Sequence, residues 1–275
     1  MSNQQIEQPK EIQLQTGVGT PQTLLPGRLS RLYAAMMKHR MMLEHPAVTK
    51  AHRSMRDDGD LTCCSEATLA GAIVDLLPED FLLLSRANLS GASMKGMLSA
   101  EVISALEKYN LEAHNAFASR NIFALDEDED ICAAAITRAR DLNQGRVVMV
   151  VSSREFSGLQ KELLPGAGAQ KLPVVFVTPG PMEDARRIVF KDALPVIAVD
   201  RDDAIAIDRV CQEATRRARQ GHGPALIECV DFAGADASRR DPISFLEDYM
   251  KQRRVWSEEW KRELVRRFQS ELNAV

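Results

Sequence analysis

The chain has 275 residues, 45% hydrophobic and 27% charged, enough apolar material for one large α/β domain or two small ones with a substantial core. A formal net charge of −4 leaves no basic excess with which to bind nucleic acid, so none is expected as a partner. No apolar run reaches the roughly 18–20 residues of a membrane-spanning helix, and the opening MSNQQIEQPKEIQLQ lacks the apolar core of a signal peptide, so the expected location is the cytoplasm and no membrane partner is expected.

Residues 1–24 are rich in Gln, Thr and Gly and poor in large apolar side chains, so burial cannot offset the entropy of ordering them, and a flexible tail is predicted. From Pro26 the text changes. Leu29, Leu32, Tyr33, Met36, Met37, Arg40 and Met41 recur at helical spacing, Gly27 or Ser30 can open that helix, and its methionines read as core filling. A second helix is predicted over 65–77, with Ser65 as N-cap and Pro78 as stop. The Phe-Leu-Leu-Leu run at 81–84 reads as a buried strand, and 101–118 as one or two helices. The acidic run 126–130 precedes an alanine-rich helix over 131–142, where its charge complements the helix dipole.

The second half alternates. The β-branched run at 146–151 has the composition of a parallel strand buried on both faces. A polar stretch containing Gly166 and Gly168, read as a turn, leads to a strand at 174–177, a short helix near 182–190 and a strand at 195–199. Asp203 caps a long helix over 204–220, which Gly221, Gly223 and Pro224 end, and a strand at 225–230 follows. This order specifies one α/β domain over 25–232, a mostly parallel sheet flanked by helices with an N-terminal helical segment. A C-terminal helical tail over 233–275 opens at Asp241-Pro242 and ends in an amphipathic helix over 257–272. The five cysteines, Cys63, Cys64, Cys132, Cys211 and Cys229, lack Cys-x-x-Cys spacing and read as free thiols, not as a disulfide framework or zinc site. A redox bond between neighbouring Cys63 and Cys64 would be strained. His39, His45, His52, His114 and His222 neither cluster nor adjoin a nucleophile motif, and no Gly-x-Gly-x-x-Gly follows a strand.

Three ordered segments carry a resemblance: Lys171-Leu-Pro-Val-Val-Phe-Val177; Leu194-Pro-Val-Ile-Ala-Val-Asp200 with Asp203 and Gly221-His-Gly-Pro-Ala-Leu-Ile-Glu228; and Asp241-Pro-Ile with Trp256-Ser-Glu-Glu259. Together they resemble the alpha subunit of the thiamine-diphosphate-dependent 2-oxo acid dehydrogenases, the first component of the pyruvate, branched-chain and acetoin enzymes. The helix LSRLYAAMMKHRMMLE and Ser65-Glu66-Ala67 resemble the family's opening more loosely. The resemblance implies a thiamine-diphosphate-type fold, and a diphosphate held through magnesium by an Asp after one sheet strand and an Asn after the next, hard oxygen ligands beside glycines.

At those strand ends this chain reads Ser152-Ser153-Arg154-Glu155 and Thr178-Pro179-Gly180-Pro181. Arg154 stands where the resemblance implies Asp, and Gly180 or Pro181 where it implies Asn. A one-residue shift would bring Glu155 to the Asp position, without flanking glycines or a second ligand. Of the implied Tyr-Arg pair after the 81–84 strand only Arg86 remains, and residues 233–240 are shorter than the family's phosphorylation loop and lack its His. No catalytic or metal-binding residue is therefore expected. Arg86, Ser153, Arg154, Glu155 and Gly180 are left as a vestigial pocket, in which a guanidinium fork suits phosphate or carboxylate without a metal. The expectation is a homodimer, or a complex with a beta-subunit-like partner, in which the isolated chain binds no cofactor and serves as a non-catalytic or partner-dependent scaffold or an anion-binding module. The alternative is an active alpha subunit, an oxidoreductase holding thiamine diphosphate and magnesium.

Overall fold

The computed structural model describes residues 26–56, 64–108, 111–125, 130–142, 145–180, 189–191, 194–232 and 241–274. The expected tail at 1–24, Cys63, most of the acidic run, most of the helix expected near 182–190 and the shortened loop 233–240 lie outside them.

Two helices open the described chain, α1 (Pro26–Glu44) and α2 (Pro46–Arg56), followed by α3 (Glu66–Ile73) and β1 (Phe81–Ser85). A 3₁₀ segment (Arg86–Lys95), α4 (Ser99–Lys108), α5 (Leu111–Ala118), β2 (Ile122–Leu125), α6 (Ile131–Arg140) and β3 (Val148–Val151) come next. Then come α7 (Gly158–Ala169), β4 (Val174–Pro179), β5 (Val189–Lys191), β6 (Leu194–Asp200), α8 (Ala204–Arg219), β7 (Ala225–Val230), α9 (Pro242–Gln252) and α10 (Glu258–Asn273). The strands form one sheet in the order β2-β1-β3-β4-β7-β6-β5. Every neighbouring pair is parallel except β5 with β6, which is antiparallel.

The sheet is α/β because its strands are apolar on both faces. Leu82, Leu84, Met149, Val151, Val175 and Val177 point into a core shared with α1, α3 and α8. Their alternating neighbours Phe81, Leu83, Val148, Val150, Val174 and Phe176 point into a second core under α6 and α7, as the period of two along a strand requires. The methionine stripe of α1 fills the first core: Met36 and Met42 are fully buried, and Met37 and Met41 line its margin. The C-terminal helices close the same core, with Ile243, Leu246 and Met250 of α9 and Leu264, Phe268 and Leu272 of α10.

Four local readings change. The stretch to Gln170 is helical: Ser157 and Gln160 form a capping box at the start of α7, and Gly166 and Gly168 lie within that helix, not in a turn. Val189 and Phe190 belong to strand β5, where the free edge of β6 supplies backbone partners. Helix α3 ends at Ile73, short of the expected residue 77, which instead donates its amide N–H to Asp80 Oδ2 at 2.8 Å. Helix α2 and strand β2 are additional; β2 pairs with β1 on the side away from β3.

Candidate functional site at the carboxyl edge of the sheet

From β1 the chain runs to β2 on one side and later returns as β3 on the other, so the winding reverses between β1 and β3. In open α/β sheets the ligand crevice forms at the carboxyl ends of the strands at such a reversal. The five residues singled out in the sequence all follow β1, β3 or β4, three adjacent strands, so the fold brings Arg86, Ser153, Arg154, Glu155 and Gly180 to this one edge.

Their surroundings differ. Ser153 is 3% exposed, and its amide donates to Ser85 Oγ at 2.9 Å, tying the loop after β3 to the end of β1. The carbonyl of Arg154 is clamped from two sides: Ser152 Oγ donates to it at 2.7 Å and Thr178 Oγ1 at 3.0 Å. The backbone of the loop is thereby drawn down onto β4 while the side chains of Arg154 and Glu155 stand exposed. Arg86, half-buried, begins the 3₁₀ segment after β1. Gly180 donates its N–H to Cys229 O at 3.1 Å. A Cβ built there would come within 2.6 Å of Glu228 Cβ and 3.0 Å of Val230 Cγ2, so the end of β4 lies too close to β7 to carry a side chain without displacing its neighbours.

Sequence reasoning missed the polar group that holds this edge together. Asn88, fully buried, accepts from Cys64 N at 2.9 Å and donates to Val151 O at 3.4 Å, with Cys64 Sγ 3.2 Å from Nδ2. The Cys64 thiol donates to Ser152 O at 3.2 Å. Burial pushes this thiol up to about 12, outweighing the Asn88 hydrogen bond that favours the thiolate. It stays protonated at neutral pH and is a poor nucleophile. Next along the edge, Ser65 caps α3 by accepting from Thr68 N at 3.2 Å and donates to Arg201 O, while the Arg201 guanidinium pairs with Asp231. The only signal for this network was a run of small polar residues directly after an apolar strand. Among the described residues no group of three or more His, Cys, Asp or Glu side chains is arranged to hold a metal ion, and no helix is long and apolar enough to cross a membrane.

Fold and site together define a doubly wound α/β protein, and the family model described as "Dehydrogenase E1 component" matches residues 185–272. Over that segment the chain is similar to the dehydrogenase E1 component family. It is similar to the pyruvate dehydrogenase E1 component subunit alpha of Staphylococcus epidermidis, 29% identical over 140 residues that cover 39% of this chain and 38% of that protein. The same subunit of Staphylococcus aureus is 27% identical over equal shares. The chain thus spans 38% of the length of the curated relatives it matches. The segment matched by the family model holds β5, β6, α8, β7 and the C-terminal helices; the loops after β1 and β3, and Gly180 after β4, fall outside it.

Proposed function

We propose that this chain is a non-catalytic alpha-subunit-like scaffold of the 2-oxo acid dehydrogenase type that does not itself hold magnesium and thiamine diphosphate. The observation that carries the reading is Gly180. Where the resemblance implies an Asn side chain, the backbone is hydrogen-bonded to Cys229 and the space for a Cβ is already taken by Glu228. At the other implied ligand position an exposed cation, Arg154, replaces a carboxylate, and its carbonyl is occupied by two hydroxyls. Magnesium takes near-octahedral oxygen ligands, usually one or two carboxylates with phosphate, and an exposed Glu155 that belongs to no group of three ligating side chains among the described residues does not fit it. The residues present suit an anion without a metal better, through Arg86 and Arg154.

On this reading the chain works in the cytoplasm, as a homodimer or beside a beta-subunit-like partner, and contributes surface instead of chemistry. The competing reading, an active oxidoreductase subunit, draws on the likeness to dehydrogenase E1 proteins alone and needs ligands from outside these loops. Calorimetric titration of thiamine diphosphate and magnesium into the full chain, alone and with a beta-type subunit, separates the two. No saturable heat is expected, and micromolar binding in either mixture overturns the proposal.

A further inference from the structure

At the opposite edge of the sheet lies a cavity that the proposed scaffold role does not use. It measures about 370 Å³ and sits between the amino ends of β6 and β7 and the outer face of α8. That is the size range of a small-molecule site, roughly 300–1,000 Å³. Much of its wall is apolar: Ile197 from β6, Val210 and Ala214 from α8, and Pro224 just before β7. Ile197 and Val210 are only partly buried, so α8 leaves this part of the sheet incompletely covered.

The polar groups of the wall are unequal. Arg209 and Arg217 contribute to it, with the His222 imidazole, against a single carboxylate, Glu213. That carboxylate is already engaged by Arg216, whose Nε and Nη2 donate to Glu213 at 2.8 and 2.6 Å; this fork lowers the Glu213 pKa and keeps it ionised. With Glu213 engaged by Arg216 from outside the wall, Arg217 is left as an exposed cation beside an apolar well, in a chain whose overall charge is negative. Between α8 and β7 the chain turns through Gly221 and Gly223, which hold positive φ of 76° and 94°, and the Cβ position at Gly223 lies 3.4 Å from the Lys171 backbone.

We infer that this cavity binds a small amphiphilic anion, a carboxylate carried on an aliphatic or aromatic body. The body fills the well against Ile197, Val210 and Ala214, and the carboxylate meets the arginine rim, where the guanidinium supplies paired donors and its stem covers apolar surface.

The test uses the purified full chain with two probes, fluorescent anilinonaphthalene sulfonate, an apolar body with one negative charge, and octanoate as its competitor. One saturable site is expected, displaced by octanoate but not by octanol or octylamine of equal chain length. Arg217→Glu reverses an exposed rim charge and is expected to weaken binding about tenfold, the size of one charge-assisted contact. Ile197→Trp fills the well and is expected to abolish binding, and Val210→Trp does the same from the α8 side if the first variant does not fold. Circular dichroism and melting curves matching the parent confirm that each variant is folded. Equal displacement by octylamine or octanol, or undiminished binding in a folded well-filling variant, overturns the proposal.

Discussion

A methyl group added at Gly180 would stand 2.6 Å from Glu228 Cβ, closer than carbon atoms approach without something moving. Gly180→Ala is therefore expected to cost about 1–3 kcal/mol in urea unfolding, and Gly180→Asn at least as much, without gaining magnesium-dependent binding of thiamine diphosphate. A neutral Gly180→Ala would mean that β4 and β7 separate freely there. Asn88 works the other way, as a side chain that cannot be shortened. Asn88→Ala strands the part-buried amide of Cys64 and loosens the end of β3, and about 1–3 kcal/mol of lost stability is expected. The protonated Cys64 thiol predicts slow alkylation: in a Cys63→Ser background, iodoacetamide should label Cys64 in urea and scarcely at all in the folded chain at neutral pH. Fast labelling of the native protein would show a lowered pKa instead. Of these residues Asn88 was not marked by the sequence, Cys64 was read from it as a free thiol, as the structure has it, and Gly180 was marked for the oxygen it lacks. That its hydrogen lies against Glu228 depends on β7, which lies beyond the β5 and β6 segments in the chain.

Among the elements, α1 carries the polar links that the hydrophobic pattern does not reveal. Arg28 donates from Nε and Nη2 to both carboxylate oxygens of Asp208 on α8, at 2.8 and 2.7 Å, and also pairs with Asp75 beyond α3. Asp208 is 1% exposed. Asp208→Ala would leave the guanidinium only Asp75 for a partner, and a loss of about 3 kcal/mol is expected. Replacing the pair together, as Arg28→Met with Asp208→Leu, should recover much of it. If the single and double variants melt alike, the pair is not what joins these helices. Helices α3 and α8 also need Gly71, where a Cβ would sit 2.7 Å from Ile207 Cγ2. The helices themselves were legible from Leu29, Met36 and the capping residues Ser65, Asp203 and Asp241. Their partners were not, because residues 180 positions apart in the chain share no local pattern.

Over the whole molecule, the C-terminal hairpin is bound to α1 at several points. Arg40 of α1 donates to Glu66 at 2.8 Å and to Asp241 at 2.6 Å. Tyr33 donates to Glu247 at 2.6 Å and stands edge-on to Trp256, with ring centroids 5.1 Å apart. Burial alone would raise the Asp241 pKa, but the Arg40 and Ser244 hydrogen bonds prevail and hold it at about 2, below its ordinary 3.8. A carboxylate depressed on folding adds stability that is complete above its unfolded pKa and is lost as pH falls through the folded one. The native state should therefore weaken between about pH 4 and pH 2. Asp241→Asn should flatten that part of the stability curve, as read by fluorescence of Trp256 and Trp260, which lie in the hairpin. An unchanged acid limb would show that Asp241 is not coupled to folding.

The sequence by itself determined the α/β class, because runs apolar on both faces leave few alternatives to a parallel sheet between helices. It also determined most helix starts, because a capping side chain acts on amides only two or three residues away. It did not determine β2 or β5, since a short strand is fixed by the edge it joins, nor α7, whose Gly and Pro content argued against the helix that the Ser157 and Gln160 box secures. The candidate site divides in the same way. The side chains at the carboxyl edge could be read in order along the chain, but strand order alone put Arg86, Arg154 and Gly180 side by side. Only the approach of β4 to β7 showed why no side chain stands at Gly180, because steric exclusion is a property of surfaces in contact.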